Sequence, residues 1–405
     1  MAEIARDEKI AEYTTEFIID RYHPYDNVFC GVEREDSYKV RHLSYETEQW
    51  ICTKIQDCPI LARDLMEIKD WARTVLSGFL GGACAGGACA LLITLLPNLN
   101  SITSIDTSSF AIDIFEMVSS IAEAFHQNDQ DFPPALAKLT KVYIGGREPL
   151  ETYEAFASLP SMRSLQGRRV VADHFTWPCY RDPHTSGVTD IQWSEASIHI
   201  ESLTEFLKGM RALESFTMIG DSQEEEWDPL GIMNSLLLHA KGSLRKLSLT
   251  YSKGEDLDND CYLSAPLNTF EVLRWVRLDV ESLFDVGINN VDVDEALPDR
   301  GFYKSRFEDY HYGYEAQALV DILPASIETL ELVGVLSEKN TASLLHKLPE
   351  LKEERVPQLQ KIVFEGHYLI DETLKSECER ARITLEHRQT SGYNNMKALG
   401  LHHHH

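Results

Sequence analysis

The chain has 405 residues, 43% hydrophobic and 25% charged, a composition that excludes a largely disordered protein. Lys plus Arg number 38 against 65 Asp plus Glu, and the formal net charge of −27 argues against phosphate backbones or an anionic membrane surface as partners. Eight scattered cysteines, no Asn-x-Ser/Thr site and the acidic stretch from Met1 to Glu8 place the expected protein in a reducing compartment, cytoplasmic or nuclear.

Residues 1 to 73 read as a helical amino-terminal cap, with helical spacing from Glu46 to Trp71. The pairs Cys52-x5-Cys58 and Cys84-x4-Cys89 lack a second Cys/His pair at ligand spacing, so they read as buried thiols and no metal is expected. From Thr74 to Ile105 there is no charged side chain, and Val75 to Leu96 is long enough to span a bilayer. Gly78, Gly81, Gly82, Gly86 and Gly87 weaken an isolated helix, and neither aromatic belt nor basic flank marks its ends. The expectation is a buried helix over Leu76 to Leu96. Gly81 to Gly87 has neither the Lys of a phosphate loop nor a dinucleotide fingerprint, so close helix packing explains it and no cofactor is expected.

From Leu96-Pro-Asn-Leu99 onward a pattern recurs: Leu-x-x-Leu-x-x-Leu-x-Leu with substitutions. It appears as Leu136-x-x-Leu139-x-x-Val142-x-Ile144 and as Met210-x-x-Leu213-x-x-Phe216-x-Met218. It returns as Phe270-x-x-Leu273-x-x-Val276-x-Leu278 and Val356-x-x-Leu359-x-x-Ile362-x-Phe364. Partial copies fall at Leu159 to Leu165, Ile191-x-Trp193, Leu244 to Leu249 and Ile327 to Leu332, with outer candidates at Val40 to Leu43 and Ile383-x-Leu385. Val142, Leu165, Ile191, Phe216, Leu247 and Val276 are 23, 26, 25, 31 and 29 residues apart. Leucine-rich repeats run about 20–29 residues. The alternating end of each unit suits a half-buried strand, and the preceding segment has helical spacing, as in Ile200-x-x-Leu203-x-x-Phe206-Leu207. Neither half buries its apolar face alone, so units must stack. The predicted fold class is α/β: a leucine-rich-repeat-like solenoid, or horseshoe, of about nine to eleven short parallel strands behind a helical cap.

Val40-Arg-His-Leu43, Leu95 to Leu99, Phe270 to Leu273, Leu323 to Leu332 and Val356 to Ile362 resemble filamentous-fungal leucine-rich-repeat-like proteins, many of them F-box proteins. The resemblance covers Val40 to Leu385 and implies an adaptor that binds a protein partner. Residues 1 to 39 contain no Leu, so the Leu-Pro opening of an F-box is not found there.

The solenoid is expected over residues 74 to 390, with 391 to 405 a tail ending in the tag-like His402 to His405. The largest break between strands, Leu278 to Leu330, marks an insertion at about 285–315, acidic first and then aromatic. Within it Glu308, Asp309, Tyr310, His311 and Tyr312 form the best acid–base grouping, and a second cluster lies at His174, Trp177, Cys179, Tyr180 and His184. Packed rim aromatics account for both. Asp256-x-Asp258-x-Asp260 begins like a calcium loop, but Cys261 and Leu267 stand where Gly and Glu are required.

In each strand the leucine positions face the core and the intervening ones face outward. That rule brings Tyr143, Gln192, Thr217, Ser248, Trp275, Arg277, Asp279 and Glu331 to one exposed face, with Val363 and Glu365 beyond them. Trp and Arg adjacent on a strand are interface hot-spot types, so the predicted groove centres on Trp275 and Arg277. The expected function is an intracellular interaction module with a protein partner. The alternative is an enzyme of fungal small-molecule metabolism, with a pocket closed by the aromatic insertion over the same strands.

Overall fold

The computed structural model describes residues 8–19, 45–56, 86–105, 111–126, 136–177, 184–220, 227–251, 267–283, 318–336, 338–368 and 370–388. The chain divides into two compact units, Met1–Leu213 and Glu214–His405.

In the first unit the strands are β1 (Glu16–Ile19), β2 (Ser101–Ser104), β3 (Lys141–Ile144), β4 (Glu148–Pro149), β5 (Ser164–Arg168), β6 (Val170–Ala172) and β7 (Asp190–Ile198). The main ladder runs β1-β2-β3-β5-β7, every pairing parallel. A short second ladder joins β4, β6 and the far end of β7. In the second unit the strands are β8 (Ser215–Gly220), β9 (Lys246–Tyr251), β10 (Trp275–Asp279), β11 (Thr329–Leu336), β12 (Lys361–Tyr368) and β13 (Thr384–Arg388). They pair in that order, again all parallel. A parallel neighbour needs a crossover, and the sequence supplies one each time, as Ile200–Lys208 after β7 or Leu348–Arg355 before β12.

The Leu-x-x-Leu segment makes a turn before each strand. Leu139 N–H donates to the Leu136 carbonyl, Met162 to Leu159 and Leu359 to Val356, which points the apolar side chains inward together. Leu139, Met162, Leu165, Leu247, Val276, Leu330, Leu359 and Ile362 are all fully buried. At about 25 cal/mol per Å2, each such side chain contributes roughly 1.5–3 kcal/mol. The turns also lock to one another. The carbonyl of Thr140 accepts from both Arg163 and Ser164 N–H, and that of Arg163 from Thr189 and Asp190. In the second unit Glu214, Arg245, Arg274 and Glu328 carbonyls each accept the same way from the next turn.

A bend recurs at the sixth position of the strands. In the first unit Arg169 and Glu195 hold φ of 58° and 51°, where β5 gives way to β6 and β7 changes partner. In the second, Gly334 and Gly366 face each other in register at φ of 136° and 128°. A Cβ on Gly366 would stand 2.1 Å from the Gly334 carbonyl oxygen, so only glycine lets these two backbones approach.

One expectation needs correction. The stretch 1–73 read as a helical cap also holds a strand, β1 (Glu16–Ile19), which pairs with β2. The outer candidate Val40 to Leu43 lies outside the described residues. Of the uncharged segment, Gly86–Thr94 is a helix with Ala90, Leu91 and Ile93 fully buried, and Leu96, Leu99 and Ile102 lead into β2 as the repeat pattern requires. Among the described residues no helix is long and apolar enough to cross a membrane.

Candidate functional site

The strand face opposite the leucine side carries the polar residues, and the register sorts them into rows. In the second unit one row is Lys246, Trp275, Thr329 and Lys361. The next is Thr217, Ser248, Arg277, Glu331, Val363 and Glu386. A third contains Asp279, Val333, Glu365 and Arg388. Parallel strands lie about 4.8 Å apart, so charged side chains in neighbouring rows reach one another.

They form one network. Arg277 bridges two carboxylates, with Nη1 3.3 Å from Glu331 Oε2 and Nη2 2.8 Å from Glu365 Oε2. Trp275 Nε1–H donates to Glu331 Oε1 at 3.3 Å, and Lys246 Nζ stands 4.7 Å from the centre of the Trp275 ring. Arg388 Nη1 approaches Glu331 Oε1 at 3.2 Å, while its Nε donates to Glu386 Oε1 at 2.9 Å. Lys361 pairs with the other oxygen of Glu386. Asp279 is buried and accepts the Tyr251 backbone N–H, which closes the row at β9. Among the described residues four acids and four cations balance on this face: Asp279, Glu331, Glu365 and Glu386 against Lys246, Arg277, Lys361 and Arg388. The hydrogen bonds and charges of Lys361 and Arg388 hold the Glu386 carboxyl below its ordinary range.

The first unit has its own row of Thr103, Tyr143, Gln166 and Gln192. Ser164 Oγ–H and Gln192 Nε2–H donate to Asp190 Oδ2 at 2.8 and 2.9 Å. Arg168 at the end of β5 and Arg169 in the bend grip Glu195 of β7, at 2.7 and 3.0 Å. Burial pushes the Tyr143 hydroxyl pKa up; Glu195 adds to this and Arg168 opposes it.

The register brings Thr217, Ser248, Trp275, Arg277, Asp279 and Glu331 to one face of the second unit, and Tyr143 and Gln192 to one face of the first. Tyr310, His311 and Tyr312 lie outside the described residues. The exposure expected of these rows is corrected: Tyr143, Thr217, Ser248, Asp279, Glu331 and Val363 are buried. Alternation assigns a side chain to a face, but neighbours on adjacent strands then cover one another. Arg388 and Glu386 were missed, although Ile383-x-Leu385 marks their strand and alternation past Leu385 reaches both. Glu195 had no such signal, because the bend at its own residue breaks the alternation. In the second His/aromatic cluster, Trp177 stacks on Phe206 with centroids 5.5 Å apart, and its Nε1–H donates to the Glu205 carbonyl. His184 Nδ1 lies 3.2 Å from the Met210 carbonyl.

Among the described residues no group of three His, Cys, Asp or Glu side chains could hold a metal ion. Cys52, Cys89 and Cys378 are free thiols. Burial pushes Cys89 up to about 12, and burial followed by Glu377 and Glu379 pushes Cys378 up to about 11, so neither is a nucleophile at neutral pH. Neither protein-family models nor curated protein sequences match this chain.

Proposed function

We propose that the chain is a leucine-rich-repeat-like solenoid serving as an intracellular protein-interaction module, with its partner seated on the strand face of the second unit. The observation that carries this reading is the network at Trp275, Arg277 and Glu331. A large aromatic, a bidentate-capable cation and a half-screened acid stand on adjacent strands, held in place by neighbours rather than left mobile. Preorganised Trp and Arg side chains are the usual carriers of interface energy, because little rotamer freedom is lost on binding. The strands pair in chain order and their turns share carbonyls, which supports tandem stacking; this accords with the resemblance to filamentous-fungal leucine-rich-repeat-like proteins. The free thiols Cys52, Cys89 and Cys378 fit a reducing compartment.

The test is site-specific photo-cross-linking in lysate of the source cells. A photoreactive residue at Lys246, on the strand face, should capture a partner, whereas one at the exposed Leu238 of the helix Pro229–Ala240 should not. Trp275→Ala should abolish the capture with the fold intact, at a cost of about 2 kcal/mol in affinity. Equal capture at both positions, or capture unaffected by Trp275→Ala, overturns the reading.

A further inference from the structure

We infer that Arg388 is a built-in occupant of a cation site on Glu331, and that the ligand of this face carries a guanidinium or ammonium group that takes its place. The inference rests on the proposed binding face. Arg388 belongs to β13, two strands from Glu331, and the register sets it beside Glu365. To reach Glu331 it runs back across β12 in the direction of Val363, which is fully buried.

Glu331 is only 8% exposed and receives three donors, Trp275 Nε1, Arg277 Nη1 and Arg388 Nη1, at 3.3, 3.3 and 3.2 Å. A well-made charge-assisted bond is about 2.7–2.9 Å. Both arginines make their short bond elsewhere, Arg277 to Glu365 at 2.8 Å and Arg388 to Glu386 at 2.9 Å. A mostly buried carboxylate therefore has three contacts, each longer than a well-made charge-assisted bond.

Arg388 is the replaceable donor. Its side chain is 43% exposed against 17% for Arg277, and it keeps a partner in Glu386 when it swings away from Glu331. Arg277 is fixed by its short bond to Glu365, and Trp275 stands in the ladder beneath Lys246. Withdrawing Arg388 to Glu386 leaves Glu331, beside the Trp275 indole, with Arg277 as its one cationic partner. A ligand cation takes the vacated position as the second cationic partner of Glu331. A neutral or anionic group leaves the mostly buried Glu331 with one cation fewer than it has in the unliganded chain, so the site discriminates by sign.

The probe is N-acetyl-arginine amide, with the uncharged N-acetyl-citrulline amide as control, followed by NMR of 15N-tryptophan-labelled protein at the Trp275 indole. Arg388→Gln should bind the arginine probe about tenfold more tightly than the unaltered chain, Glu331→Gln should lose the binding, and the citrulline probe should bind neither. If Arg388→Gln does not fold, labelled arginine in the unaltered chain gives the same answer: the probe should move the Arg388 Nε–H resonance together with the Trp275 indole. Equal affinity for the unaltered chain and Arg388→Gln, with the Trp275 indole still moving, overturns the role of Arg388 and leaves the binding face standing. No movement of Trp275 in either protein overturns the cation site, while the cross-linking experiment decides the face separately.

Discussion

Gly366 shows how far one residue can be constrained in this chain. Its φ of 128° is closed to residues with a Cβ, and that Cβ would meet the backbone of Gly334. Because the obstacle is a carbonyl, relaxation is small, and Gly366→Ala should destabilise the second unit by about 3 kcal/mol in denaturant unfolding. Gly167→Ala meets a side chain instead, the Tyr153 hydroxyl 2.1 Å away, so the loss should be nearer 2 kcal/mol. Glu195 is a second special position, a non-glycine at positive φ. Burial pushes its carboxyl up, but the hydrogen bonds and charges of Arg168 and Arg169 outweigh this and hold it below the ordinary range. A depressed folded-state pKa contributes stability above the unfolded value near 4.3, which is lost as pH falls through the folded one. Glu195→Gln should therefore be less stable than the unaltered chain at pH 7, with the gap closing in urea titrations below about pH 4.

The repeating element is a turn, a strand and a return segment, and each part depends on the others. The turn hides Leu-x-x-Leu side chains and presents one carbonyl to two N–H groups of the following turn. Leu247 sits where turn and strand meet, between Phe216 and Val276 in the ladder. Truncating it to Ala removes contacts to both neighbours, so about 3 kcal/mol should be lost. Native-state hydrogen exchange should show the protection of β8 and β10 falling together; a loss confined to β9 would mean that the strands are not coupled. The outward face follows the same register, so Arg277 on β10 reaches past β11 to pair with Glu365 on β12, two residues beyond Val363, the partner of Glu331 in the ladder.

At the scale of the whole molecule the charge is unevenly used. Among the described residues the strand face of the second unit carries four acids and four cations, so these eight side chains contribute nothing to the net charge of −27. Exposed like charges repel and are screened by salt, whereas the half-buried pairs of the network are screened less. Raising ionic strength from about 0.01 M to about 0.15 M should therefore raise the thermal midpoint, since relief of repulsion exceeds the weakening of those pairs. A falling midpoint would mean that the ion pairs dominate stability. Solubility should be least near pH 4.9, where the net charge vanishes.

Parallel α/β character was legible in the sequence alone, because the strands follow from a local period: apolar residues three apart and then two apart can be buried only as a turn leading into a strand. Val142, Phe216, Leu247, Val276, Leu330 and Ile362 all lie in paired parallel strands for that reason. The same alternation put Trp275, Arg277 and Glu331 on one face. What it could not supply was the neighbour. Strand register places Glu331 opposite Val363 rather than Glu365, and sends Arg388 back across β12 to reach it. Burial of the polar rows, the glycine bend and the charge network all depend on which residues lie about 5 Å apart across strands separated by more than twenty residues of chain. Only the tertiary pairing decides that.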